Sequence, residues 1–247
     1  MQRIKPLVVF ILPFLVSCSI STEEKSKYSV SQIPDIEEVI IEFDENEGEA
    51  LNTKNFYFIF DASGSMNEDC AGQRKINGAK IAISKFIDKV PDDVNIGLLV
   101  FGLKSEKPIK ELVVLGTGQK AKFKEAINKI TPDGSTPLGQ VTDIGMTRLV
   151  EQYKKQLGYG EYRLIIVTDG LASSAETFEK SLQNNLKYPF VSLYGIGLCI
   201  QGNHMLKTYA LNYTDANNYE ELEEALTETI SELPDFDPES FDLSDFE

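Results

Sequence analysis

Asp61, Ser63 and Ser65 alternate in the run Asp61-Ala62-Ser63-Gly64-Ser65-Met66, directly after the apolar stretch Phe56-Tyr57-Phe58-Ile59-Phe60. One carboxylate and two hydroxyls at that spacing suit a hard divalent cation, Mg²⁺ or Mn²⁺, which takes oxygen ligands in near-octahedral geometry and keeps some of its waters. Two further stretches carry the same ligand types: Asp133-Gly134-Ser135-Thr136-Pro137 and Val167-Thr168-Asp169-Gly170. Gly64 is expected to matter in the first turn, because a backbone folding round an ion takes angles that a side chain obstructs.

Each stretch also has a plainer reading. Asp61 or Ser63 could cap the next helix or sit in a solvated turn. Ser135-Thr136 before Pro137 has the form of an ordinary helix N-terminus, and Asp169-Gly170 that of a tight turn. Their succession favours one shared site, since two of the three close strand-like runs.

The elements that must position these groups follow from hydrophobic periodicity. Phe56–Phe60 and Tyr162–Val167 are β-branched and aromatic runs that predict buried strands. Between them, Ile76, Ala79, Ile83, Phe86, Ile87 and Val90 recur at helical spacing, and Pro91 stops that helix. Val94–Phe101 reads as a strand with Ile109–Leu115 as its hairpin partner at an edge. Ala121–Ile130 is a short helix and Pro137–Leu157 a long one, with Leu138, Val141, Ile144, Leu149 and Tyr153 inward. Helix Ser174–Leu186, strand Phe190–Gly197, helix Asn203–Leu211, a short strand near Tyr213 and helix Tyr219–Glu232 follow, the last docking by Leu222, Leu226 and Ile230. This alternation predicts an α/β fold: a doubly wound, mostly parallel sheet flanked by helices, with one antiparallel edge strand. Ligands of such sheets sit beyond the carboxyl ends of strands at a topological switch point, where the three stretches fall.

Asp61-x-Ser63-x-Ser65, then Thr136, then Asp169-Gly170 resembles the metal-ion-dependent adhesion site of von Willebrand factor A domains and integrin inserted domains, over roughly residues 54 to 231. The resemblance implies that family's Rossmann-like fold. It further implies that Ser63 and Ser65 coordinate Mg²⁺ or Mn²⁺ directly, with Thr136 joining in the ligand-competent state and Asp61 and Asp169 acting directly or through water. One coordination position is then left for an aspartate or glutamate of a partner protein. In the integrin domains the last helix shifts as affinity changes; whether Tyr219–Glu232 moves stays open.

The implied function is a binding module and not an enzyme. Alternatives are a hydrolase in which the metal activates water and a scaffold domain whose metal only staples loops. Ser63 stands where an Asp-x-Asp phosphatase needs a carboxylate, and no phosphate-cradling Gly-x-x-x-x-Gly-Lys occurs. The one histidine, His204, is expected to be solvated on a surface helix, which leaves Ser-His-Asp hydrolysis and histidine zinc sites poorly supported.

The first residues set the expected compartment. Arg3 and Lys5 precede an apolar core from Leu7 to Val16, a length that suits a signal peptide and is too short to span a bilayer. Leu15-Val16-Ser17-Cys18 resembles the bacterial lipoprotein box, in which the cysteine is acylated. Residues 1–17 are therefore expected to be removed, leaving Cys18 as a lipid anchor in the cell envelope. Ser19 is not the aspartate of an inner-membrane retention signal, which leans toward the outer membrane. Residues 18–53 read as a flexible tether, able to reach roughly 100 Å when extended, with a short strand expected over Glu37–Phe43. Residues 54–232 form the domain and 233–247 an acidic tail. With Cys18 acylated, Cys70 and Cys199 remain as an even pair in an oxidising compartment, and a disulfide between them is expected or not according to geometry.

The formal net charge is −15, and loss of Arg3 and Lys5 deepens it by two, so nucleic acid is an unsuitable partner. No lysine or arginine follows Lys207, whereas 13 acidic residues do. Within the tail, Phe236, Phe241 and Phe246 recur every five residues, each beside an aspartate. The tail is expected to be unstructured in the free protein. It reads either as a solvated acidic end or as a motif that inserts phenylalanines into a partner's groove while its acids meet basic rim residues.

Overall fold

The computed structural model describes residues 41–43, 48–200 and 202–231; Cys18 and the tail phenylalanines lie outside the described residues. Strand β1 (Lys54–Asp61) is apolar at both parities of its alternation and is buried on both faces. Phe56, Phe58 and Phe60 enter one core, Tyr57 and Ile59 the other. A 3₁₀ turn (Gly64–Asn67) and a small antiparallel pair, β2 (Asp69–Cys70) with β3 (Gln73–Arg74), lead into α1 (Lys75–Lys89). Next come β4 (Asn95–Phe101), parallel to β1, and β5 (Lys110–Gly116), which folds back antiparallel as the edge. Helices α2 (Lys120–Asn128) and α3 (Leu138–Lys155) then carry the chain to β6 (Glu161–Thr168) on the other side of β1. The chain continues through α4 (Ala175–Asn185), β7 (Val191–Leu198), α5 (Leu206–Tyr209), β8 (Asn212–Ala216) and α6 (Tyr219–Glu228).

The main sheet runs β5-β4-β1-β6-β7-β8, parallel at every step except β4 to β5. This is the expected doubly wound fold. From β1 the chain goes first to β4 and later returns to β6, so the switch point lies at the carboxyl end of β1. One core packs α1, α2 and α6 on the sheet through residues such as Phe86, Phe123 and Leu222. The other packs α3, α4 and α5 through Leu149, Phe178 and Leu206. Phe58 meets Phe86 and Phe123 edge-on at 5.4 Å, a favoured aromatic geometry.

Several elements depart from expectation for identifiable reasons. The helix expected over Asn203–Leu211 is one turn, Leu206–Tyr209, because the Leu211 amide donates to Leu193 O and draws the chain back to the sheet. Helix α6 stops at Glu228, short of the expected Glu232, as Arg163 Nη1 takes the carbonyls of Thr229 and Ser231 at 2.6 and 2.9 Å. Leu222 and Leu226 are buried in the first core and Ile230 packs against it. Of the strand expected at Glu37–Phe43, residues 37–40 lie outside the described residues and Ile41–Phe43 are not a strand. Near the end of the expected tether the chain is held: the Glu49 amide donates to Lys155 O at 2.8 Å, and Leu51 O accepts from Gln156 Nε2 at 2.7 Å. No helix of the described residues is long and apolar enough to cross a membrane.

Candidate metal centre

Adjacent strands β1 and β6 end side by side, Phe60 beside Val167, which places Asp61 and Thr168-Asp169 at one rim. Both carboxylates are buried, Asp61 completely and Asp169 with 6% exposure. Thr168 Oγ1 donates to Asp61 Oδ2 at 2.6 Å and the Ser63 amide donates to Asp61 Oδ1 at 2.7 Å. Ser65 Oγ donates to Asp169 Oδ1 at 2.8 Å and lies 3.0 Å from Ser63 Oγ. Asp61, Ser63, Ser65 and Asp169 thus form one connected cluster.

The capping alternatives are not what the structure holds. Ser63 makes no side-chain cap, α1 begins after Arg74, and α3 begins after Pro137 without a side-chain cap from Ser135 or Thr136. The loop carrying Thr136 is fixed beside the cluster by its backbone. Gly64 N donates to Gly134 O at 2.9 Å, and the amides of Asp133 and Gly134 both donate to Gly102 O. Thr136 is buried and its amide donates to Ser173 Oγ at 3.0 Å. Among the described residues its hydroxyl makes no hydrogen bond to the other four groups.

The glycine requirement falls elsewhere than expected. Gly64 has no positive φ, and a Cβ there would meet only ordinary contacts at 3.8 Å. Gly102 has φ +74, and its Cβ would fall 2.4 Å from the Ser63 amide nitrogen. A Cβ on Gly134 would lie 2.9 Å from Gly102 Cα. The close approach of the Thr136 loop to β1 therefore depends on Gly102 and Gly134.

The electrostatics are those of buried like charges with one counter-ion. Burial, reinforced by repulsion from Asp169 and opposed by the Ser63 and Thr168 hydrogen bonds, pushes Asp61 up to about 6. Lys75, at the first position of α1, reaches inward and its Nζ pairs with Asp169 Oδ2 at 2.9 Å and with Glu68 Oε2 at 3.2 Å. Burial works against its charge, but the Asp169 hydrogen bond and charge outweigh it, so the Lys75 pKa stands above its ordinary value. A lysine at a helix start gave no sequence signal for this role.

His204 is not solvated as expected. It is 1% exposed, lies ahead of α5, and stacks on Tyr213 at 5.9 Å. The Leu206 amide donates to Nδ1 at 3.2 Å, so Nε2 carries the proton it shares with Gly170 O at 3.1 Å. Burial lowers its pKa. The neutral ring thus braces the residue next to Asp169, and both nitrogens are engaged. On the same rim Cys70 and Cys199 are joined by a disulfide, with Cα atoms 6.4 Å apart. A polar depression of about 540 Å³ opens there, lined by Glu68, Asp69, Lys75, Asp169 and Asn217 with the disulfide.

The donor set fits a hard dication. Each carboxylate oxygen of Asp61 and Asp169 accepts one of the hydrogen bonds above, and a carboxylate oxygen has lone pairs for more. A cation between the carboxylates would relieve the repulsion that raises Asp61. No group of three or more His, Cys, Asp or Glu side chains among the described residues is arranged to hold a metal, so the donor set rests on two carboxylates and the neighbouring hydroxyls.

An open α/β domain with a polar cluster at its switch point defines the class of protein. Residues 55–244 match the von Willebrand factor type A domain, and the chain belongs to that family. It is 26% identical over 189 residues to the uncharacterized protein YwmD of Bacillus subtilis (strain 168), covering 69% of this chain and 82% of that one. Its identity to the uncharacterized protein YwmC of the same strain is 28% over 137 residues, 51% of this chain and 59% of the other. Among solved structures, the pilus adhesin SpaC from Lactobacillus rhamnosus GG is similar with a TM-score of 0.58 at 13% identity, over 74% of this chain but only 30% of the adhesin. The manganese-loaded TRAP protein of Plasmodium vivax gives 0.54 at 20% identity, over 74% of this chain and 75% of that one. At such identities the structural likeness carries the fold alone.

Proposed function

We propose that this domain is a binding module that holds one Mg²⁺ or Mn²⁺ with Asp61, Ser63, Ser65, Thr136 and Asp169 and takes a carboxylate from a partner protein as a further ligand. The observation that supports this reading is the convergence of two buried carboxylates and two hydroxyls at the switch point, with Asp61 pushed up to about 6. Bound there, the dication supplies positive charge and an open coordination position. Asp61, Asp169 and Lys75 together carry one negative charge when all are ionised, so the loaded centre is positive by one. An incoming aspartate or glutamate neutralises it, which makes an otherwise acidic molecule receptive to an acid. Ser63 and Ser65 hold the ligand side of the turn, and Lys75 fixes one oxygen of Asp169.

Binding is proposed in preference to hydrolysis because the single histidine has both ring nitrogens occupied and is unsuited to act as general base. That one structural relative is a pilus adhesin and another carries manganese accords with a metal-dependent contact. Anchoring through acylated Cys18 in the cell envelope, with the domain in the periplasm or at the surface, is part of the proposal. The test is calorimetric titration of the full chain with MgCl₂ and MnCl₂. Single-site binding by the wild type and none by Asp61→Ala is expected; equal affinity in both would overturn the metal assignment. Envelope proteins retained with Mg²⁺, released by chelator and not retained by Asp61→Ala would support the partner contact, and retention indifferent to chelator would oppose it.

A further inference from the structure

Beside the metal rim, at the β5 edge of the sheet, the β4–β5 hairpin and α2 enclose a groove of about 410 Å³. Leu103, Leu112, Ala126 and Ile130 supply its apolar wall, and these residues belong to or pack against the core under α1, α2 and α6. Lys104, Lys110, Lys122 and Lys129 stand round it, with Glu125 the one acidic residue of the lining. Lys129 pairs with Glu125, and Lys104 with Asp133 at 3.8 Å, both exposed ion pairs of small energy. Lys110 and Lys122 make no ion pair among the described residues. In a chain of formal charge −15 this is a concentrated basic surface on an apolar floor.

The same chain contains a segment of matching chemistry. Residues 232–247 carry seven acidic residues, no basic one, and Phe236, Phe241 and Phe246 at equal spacing. Their starting point is fixed, because Arg163 holds the carbonyls of Thr229 and Ser231 after α6. Helix α6 lies on the same face of the sheet as α1 and α2, so the described chain ends on the groove's face, toward the amino end of β6. From Arg163 of β6, level with Ile96 of β4, to Lys110 of β5, level with Val100, is three strand steps across and four residues along, roughly 20 Å. Sixteen extended residues reach roughly 50 Å, so length does not limit the contact. A ligand on so short a connection has an effective concentration on the order of millimolar, enough to populate a weak contact.

We propose that the groove between β5 and α2 is the docking surface of the chain's own C-terminal segment, residues 232–247. Phenylalanine side chains cover Leu112, Ala126 and Ile130 while the aspartates beside them meet Lys104, Lys110, Lys122 and Lys129. The contact does not depend on the metal reading.

The test uses a labelled synthetic peptide of residues 233–247 and the full chain, wild type and with Phe236, Phe241 and Phe246 all replaced by alanine. Fluorescence anisotropy should show the peptide binding the triple variant at least about tenfold more tightly than the wild type, whose own segment competes. Lys122→Glu with Lys129→Glu in the triple variant should abolish that binding, and raising salt from about 0.05 to 0.5 M should weaken it. No binding to the triple variant, with its circular dichroism unchanged, would overturn the proposal. Equal binding to wild type and triple variant would also overturn it, and would assign the groove to an acidic segment of another protein.

Discussion

The rim at the ends of β1 and β6 and the groove between β5 and α2 both gather charge, but the first buries it and the second leaves it in water. At the rim, Asp61 and Asp169 are nearly inaccessible, every carboxylate oxygen has a partner, and one ammonium sits 2.9 Å from Asp169. In the groove, the lysines are spread round an apolar wall and their ion pairs are exposed. Coulombic coupling rises several-fold when water is excluded, whereas exposed pairs contribute about 1 kcal/mol or less. The rim can therefore select by geometry and charge together, while the groove can select only by sign and apolar fit. That contrast predicts where substitutions will be felt.

Lys75→Met should have the largest effect. Removing one member of a buried ion pair leaves the other uncompensated, at a cost of about 3–5 kcal/mol. Denaturant unfolding without metal should show a loss of that order, and saturating Mg²⁺ should restore part of it by supplying positive charge to Asp169. Equal losses with and without Mg²⁺ would mean that the ammonium and the metal do not share a carboxylate.

Asp61→Asn comes next, and its sign follows from the raised pKa. A carboxyl whose folded pKa lies above its unfolded value contributes stability that is fully present below the unfolded pKa and lost as pH rises through the folded one. For Asp61 the window runs from the ordinary 3.8 to about 6, and the loss approaches about 3 kcal/mol above it. Metal-free wild type should therefore lose stability across that window relative to Asp61→Asn. Mg²⁺ should stabilise wild type more at pH 7 than at pH 5 and leave the variant unmoved. A Mg²⁺ effect independent of pH and of the substitution would defeat the assignment.

Gly102→Ala and Gly64→Ala form a paired experiment of smaller size. The left-handed φ of Gly102 alone costs an alanine about 1–2 kcal/mol, and its Cβ meets the Ser63 amide. Gly64→Ala meets nothing closer than 3.8 Å and should change stability by less than about 0.5 kcal/mol. The two midpoints in urea check this; a larger loss at Gly64 would return the turn to the role first expected of it.

That reversal shows what the sequence could and could not disclose. Strand β1 was legible because five consecutive apolar residues ending at Asp61 leave few other structures available. The doubly wound, mostly parallel class followed from alternation of strands and helices and the rim from oxygen-bearing residues at strand ends, whereas the strand order is set by tertiary pairing. Close backbone approach was not legible, since Gly102 matters only once the loop at Asp133 and Gly134 folds over the end of β4. Lys75 gave no signal because its partner Asp169 is 94 residues away. His204 was misplaced for the same reason: Gly170 and Tyr213 reach it through tertiary packing that local polarity does not encode. Cysteine counting left Cys70 and Cys199 open, and only the fold brings their Cα atoms within 6.4 Å.

The smallest expected effect probes whether the two regions are separate. Lys104 lines the groove, yet its ammonium lies 3.8 Å from Asp133, two residues before Ser135 and three before Thr136. If that exposed pair helped to place the Thr136 loop, Lys104→Ser would alter metal affinity as well as the groove. The backbone argues otherwise. The loop is held by the Asp133 and Gly134 amides on Gly102 O and by Gly64 N on Gly134 O, while the Lys104 amide donates to Thr131 O independently of its side chain. Both ends of the ion pair are largely in water, so its removal should change stability by less than about 1 kcal/mol. Calorimetry should find Mg²⁺ affinity within about twofold of wild type, the change expected when a weak, screened contact is lost. A tenfold change would show that Asp133 couples the groove to the rim and that occupancy of one is felt at the other.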